Sequence, residues 1–195
     1  MTAHWNNSVA DMGRDPKSAR QAVQLDRQEV SVLVSAFQYK QWADRRTLDA
    51  AKSIEGSEDA QPLSFIRQQL NHMVIVEELF RARLLGDEPL HCSTNTEIVP
   101  SLNELDLKLT FSNQWLISYV ADLHPETLND QLSFEFVDGQ RGRMTRLEIL
   151  FHLVNHGTYH RGAIGHALDL AKALRPADTY TVFIHSLQPE RRLET

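Results

Sequence analysis

Residues 145–173 read TRLEILFHLVNHGTYHRGAIGHALDLAKA, and this stretch decides the fold. Thr145-Arg146-Leu147-Glu148 matches a capping box, with a hydroxyl at the cap and a carboxylate three residues on, so a helix opens there. Ile149, Leu153, His156, His160, Ile164, Ala167 and Ala171 then recur at helical spacing as one narrow stripe. The pattern predicts a helix to about Ala173, with Pro176 shortly beyond its end.

Working outward, the same period governs most of the chain. Val30, Leu33, Val34, Phe37, Tyr39, Trp42 and Ala43 place a first helix at about Leu25 to Ile54, stopped by Gly56-Ser57-Glu58-Asp59. Pro62 suits the first turn of a second helix, whose Ile66, Leu70, Met73, Phe80 and Leu84 share a face and which Gly86 ends near Leu85. A third helix, about Ser101 to Leu123, carries Leu102, Leu105, Leu109, Leu116 and Leu123 and is closed by His124-Pro125. Leu132, Phe134 and Phe136 change to an alternating period. Asp138-Gly139 and a return over Arg141 to Met144 make that segment a small hairpin, laid against the helices. In the tail, Tyr180, Val182 and Ile184 alternate and read as a short extended segment. The expected fold class is all-α, a four-helix bundle with a hairpin before the last long helix. The linkers at 86–100 and 124–144 are long enough for crossovers.

Composition bounds the function. A chain of 195 residues suits one domain, here residues 25–195, preceded by a polar arm over residues 1–24. Twenty Lys and Arg against 26 Asp and Glu give a net charge of −6, which argues against a nucleic-acid partner. No apolar run approaches the roughly 18 residues of a membrane span, and the first residues lack a signal-peptide core, so the protein is expected in the cytoplasm, with no membrane partner. The lone Cys92 excludes a disulfide scaffold.

Nine His against one Cys is the informative asymmetry. His152, His156 and His160 line one side of the last long helix. The outer two are separated by about 12 Å of helix rise, so one ion can be shared by 152/156 or by 156/160, but not by all three. The apolar stripe contains His156 and His160 and leaves His152 at its edge, which favours the second pair. Two imidazoles in an apolar seam need partners, and a shared cation or ordinary hydrogen bonds would both supply them. A mononuclear site needs another ligand. His72 is the remaining His in the middle of an amphipathic helix and is the best third ligand. His4, His91, His124 and His185 sit in tails or linkers, and His166 lies about 240° around the helix from His160. No Glu-x-x-His and no H-E-x-x-H occurs on these helices, against a di-iron bundle or a zincin.

Asn155-His156-Gly157-Thr158-Tyr159-His160-Arg161-Gly162 resembles the N-H-x-x-x-H-R-G signature of the DinB family of damage-inducible metalloenzymes. Leu70-Asn71-His72, Glu77 where the family often has Asp, and Gly86 are similar to its second-helix pattern. Tyr39-x-x-Trp42-Ala43-Asp44 is similar to its first-helix Tyr-x-x-Trp-Ala-Asn, and Pro176-x-Asp178 with Tyr180 to its C-terminal end. The likeness covers about residues 30–186. It departs at Ala163, where Gln commonly follows, and at Asp44. The resemblance implies an up-down-down-up bundle of a bacterial stress-response protein. It also implies a divalent metal, zinc or nickel first and iron as a further option, held by His72, His156 and His160. Homodimers are common in the family, and some relatives are transferases or isomerases that use a low-molecular-weight thiol.

An ion held by three neutral imidazoles keeps its full charge and an open position, where water is acidified towards a pKa of about 7 or a thiol is taken as thiolate. Cys92 lies in a linker, so any such thiol comes from outside the chain, as a cosubstrate of a small-molecule transferase; a hydrolase is the sister reading. The alternative is a non-catalytic, metal-stabilised dimeric binding protein, since no general base is evident on the inner faces. No catalytic residue is identified. Arg161 is expected to pair with an acidic residue such as Glu77 rather than to clamp substrate. Tyr39 and Trp42 are expected in the core, Tyr159 beside a ligand, and Glu148 and Asn155 in capping and hydrogen-bonding duties. Gly157 and Gly162 each cost the helix about 1 kcal/mol relative to Ala, which suggests a close helix approach or a dimer contact.

Overall fold

The computed structural model describes residues 16–56 and 60–193. Its elements are α1 (Pro16–Lys52), α2 (Ala60–Leu85), α3 (Leu102–Ala121), a 3-10 turn (Pro125–Asn129), β1 (Gln131–Glu135), β2 (Arg141–Thr145), α4 (Arg146–Leu170), α5 (Tyr180–Leu187) and a last 3-10 turn (Pro189–Arg191). The backbone is already helical at Pro16, so the segment expected as an arm contributes its end to α1; the rest of that arm, and Ser57-Glu58-Asp59, lie outside the described residues.

The helices pack as a square in which α1 and α2 each touch α3 and α4. Two apolar clusters fix their directions. One gathers Leu48 and Ala51 of α1, Ile66 and Leu70 of α2, Leu102 and Leu105 of α3, and Ile164 and Leu168 of α4. The other gathers Leu33 and Phe37, Phe80 and Leu84, Leu116 and Val120, and Leu150 and Leu153. Going from the second cluster to the first, α1 and α4 ascend in sequence while α2 and α3 descend, which is up-down-down-up.

Two parallel helices in sequence, α2 and α3, require the chain to return along the bundle between them. Residues 86–101 do this, running antiparallel to α2 and tied to it at successive levels. His91 Nε2 lies 2.5 Å from Glu78 Oε2, Asn71 Nδ2 donates to Thr96 Oγ1 (2.8 Å), and Arg67 donates to the Val99 and Pro100 carbonyls (2.6 and 3.0 Å). The crossover matters because it meets the site described below.

Both later helices start on capping boxes. Ser101 and Glu104 cap α3, and Thr145 and Glu148 cap α4 as the sequence predicts. The hairpin pairs Leu132 with Met144 and Phe134 with Gly142, and its Leu132 and Phe134 pack on the second apolar cluster. Gly142 lies against the Phe136 ring, which a Cβ there would force to move. One expectation fails. Residues 180–187 are helical, capped by Thr179, because Phe183 buries against Tyr39 and Trp42. Three alternating residues are too few to tell a strand from a helix. No helix among the described residues is long and apolar enough to cross a membrane.

Candidate metal centre

The two apolar clusters are separated by a polar belt, and α4 serves both halves of it through neighbouring residues. On the side facing α2 it presents His156 and His160; on the side facing α1 it presents Arg161.

His72 of α2 meets the α4 pair where the two antiparallel helices cross. His156 Nε2 lies 3.1 Å from His72 Nε2 and 3.1 Å from His160 Nε2. One ligand atom from each of the three falls within 4.8 Å of the others. His72 Nδ1–H donates to the Thr94 carbonyl (2.9 Å), and His160 Nδ1–H donates to Gln69 Oε1 (2.7 Å). Both acceptors fix the tautomer: with the proton on Nδ1, each Nε2 turns a bare lone pair towards His156. A single proton on His156 Nε2 is too little for two such lone pairs. A cation about 2.1 Å from each nitrogen satisfies all three, and the 3.1 Å separations leave room for it. The donor set therefore fits a divalent metal. Its rings are also locked from outside, as the ligands of protein metal sites are.

The electrostatics agree with neutral ligands. Burial, reinforced by the neighbouring histidines and Lys40, pushes His156 down to about 3. Burial and His72 push His160 down to about 4. These rings need not release a proton before they coordinate at neutral pH. His152, one turn back, packs its ring 5.3 Å from His156 and 5.0 Å from Phe80, and it too is lowered, by burial and by Arg83. It stands beside the cluster but outside it, as the stripe indicates. His166 is exposed on another face.

The facing half of the belt is a closed ion network. Lys40, fully buried, lies 2.7 Å from both Asp44 and Glu77 and donates to Asn113 Oδ1 (2.9 Å). Arg161 donates to Asp44 (2.8 Å), to Asp178 (2.8 Å) and to Thr158 Oγ1 (3.1 Å). Ser112 donates to Glu77, and Tyr39 to Asp178. Burial opposes each charge, but the partners reverse it for three of them: Lys40 and Arg161 are raised and Asp44 is lowered. Glu77, with a single cation beside it, stays raised by burial. The pairing expected between Arg161 and Glu77 is thus wrong in its partner. Arg161 takes Asp44 and Asp178, and Glu77 takes Lys40, a residue that sequence reasoning passed over. A charged residue on the buried stripe of α1, three after Phe37 and three before Ala43, was the signal. Gly157 is the position that admits this network, since a Cβ there would stand 3.4 Å from Lys40 Cε and 3.0 Å from Arg161 Nη1. Gly162 is exposed and meets nothing within 4 Å.

The remaining expectations divide. Tyr39 and Trp42 are core, packed with Phe183. Tyr159 is 73% exposed, its ring edge-on to His160 at 5.1 Å. Glu148 caps α4, and Asn155 is exposed. The groups that orient the ligands are instead Thr94 and Gln69. The first acts through a backbone carbonyl, which no side-chain pattern reports.

Comparison with known proteins points one way. The model of the DinB family matches residues 27–192. Protein DinB of Bacillus subtilis (strain 168) is 26% identical over 168 residues, covering 80% of this chain and 95% of that protein. No solved structure gives a significant match.

Proposed function

The chain belongs to the DinB family, and from that premise we propose that it is a metal-dependent enzyme with a mononuclear centre held by His72, His156 and His160. The observation that carries the reading is the convergence of three Nε2 atoms with two of the outer nitrogens already committed to Thr94 and Gln69. When bound there, zinc or nickel supplies a Lewis acid that lowers the pKa of a coordinated donor. The chain's own residues hold three neutral nitrogens in register, keep their protons on the far side, and wall the centre from the ion network with α4 itself.

The proposed reaction is a small-molecule transfer that uses a low-molecular-weight thiol, or a hydrolysis, in stress response or detoxification. Its support is the absence of a protein thiol at the cluster: Cys92 is exposed on the crossover. A cytoplasmic homodimer without nucleic-acid or membrane partners completes the proposal. The test is thiol consumption by the zinc-loaded and nickel-loaded protein with an electrophilic acceptor, against H160A under the same conditions. Turnover that needs the thiol and disappears in H160A supports the transferase. Turnover without thiol supports the hydrolase. Stoichiometric metal with neither reaction supports a non-catalytic binding protein.

A further inference from the structure

The face of α2 that bears His72 continues through Leu79 and Arg83 to Gly86, by the helical repeat. These three line a cavity of about 740 Å³, together with Phe134, Phe136 and the start of the crossover. Within it, Arg83 is a half-buried cation that no carboxylate partners among the described residues. Its guanidinium carbon stacks 4.7 Å from the Phe80 ring, 4.5 Å from Phe134 and 5.3 Å from Phe136. Of its five N–H donors, one is used, by the Glu135 carbonyl at 3.1 Å. The aromatic frame holds the fork rigidly and leaves the rest of it without a protein acceptor. Packed rings separate it from the histidines: Phe80 touches His152, and His152 touches His156.

We infer that Arg83 anchors the acid group of a small-molecule ligand in this cavity, at a site apart from the histidine cluster. Three features narrow the ligand. Planar donors in a fork select a carboxylate or similar oxyanion. Leu79, Phe134 and Phe136 offer the body of the ligand an apolar wall. Asp87 and Glu88 stand exposed at the rim and disfavour a polyanion. Glu135 also lines the cavity, but it meets Arg83 through its backbone carbonyl and forms no ion pair with it. The fitting ligand is a monoacid with a short apolar body.

Calorimetric titration of the protein tests this with alkanoic acids of graded length beside the matching alcohols. At the chain length that fills the cavity, the acid is expected to bind about tenfold tighter than the alcohol. R83Q removes that preference and leaves alcohol affinity unchanged, while R81Q, whose guanidinium stacks on Phe111 and Trp115 instead, keeps it. Acids and alcohols bound alike by the wild type at every length overturn the anchor without reference to any variant, as does a preference that survives in R83Q.

Discussion

The two halves of the polar belt are built from adjacent residues of one helix and solve opposite problems. Arg161 faces α1 and enters a network in which every charge has a partner: Lys40 and Arg161 against Asp44, Glu77 and Asp178. His156 and His160 face α2 and enter a cluster in which lone pairs point at one another. The first is closed and needs nothing further. The second leaves its bonding unfinished within the chain, with two of its outer nitrogens satisfied and its inner ones convergent. Burial of polar groups by itself therefore says little about function; what separates the halves is whether the polar atoms finish their bonding within the chain.

The largest effect is expected where the closed half is opened. R161M leaves buried Asp44 with Lys40 as its one cation and partly buried Asp178 with none, and should lower stability by about 3–5 kcal/mol, read by denaturant unfolding. A loss under about 1 kcal/mol would mean that the network is not closed. Stripping metal from the other half should cost less and depend on concentration. Zinc at a hundred times its dissociation constant adds about 2.7 kcal/mol, a shift in melting temperature that chelator removes and that H156A never shows.

The pH response sharpens the contrast. In the metal-free protein His156 and His160 titrate near 3 and 4 when folded, below the ordinary value of about 6.5 when unfolded. Between those limits the unfolded chain binds more protons. Stability is therefore full above about pH 6.5 and falls as the pH drops towards 4 and 3. Melting temperature against pH should slope in that window for the wild type and less so for the H156A/H160A double variant; parallel curves would remove the histidines as the cause.

Much of this was legible in the residues. Helical period placed all four long helices, the capping box fixed the start of α4, and the stripe that excluded His152 chose His156 and His160. His72 followed from its position inside an amphipathic helix. What stayed hidden came from contacts between distant segments. Thr94 acts through its carbonyl, Asp178 reaches Arg161 from the loop before α5, and the exchange of Glu77 for Asp44 as the partner of Arg161 depends on which helices are neighbours in the square. The tail helix was missed because its burial depends on Tyr39 and Trp42, far away in sequence.

Two smaller effects follow from that distinction. Q69A removes the acceptor on His160 Nδ1 and should weaken zinc binding about tenfold, with the melting temperature of the metal-free protein nearly unchanged. T145A removes the cap of α4 and should cost about 1 kcal/mol while leaving zinc affinity as it was. If Q69A behaved like T145A, the locked tautomer would have no part in the site.

The central claim is that the inner nitrogens of His72, His156 and His160 bind one metal ion. Direct analysis of metal content after equilibration with zinc and removal of the excess tests it, on the wild type beside H72A, H156A and H160A. One zinc per chain at neutral pH, lost in each of the three variants while R83Q keeps it, is the result expected. A wild type that holds no stoichiometric metal, or an H156A that holds as much as the wild type, would contradict it.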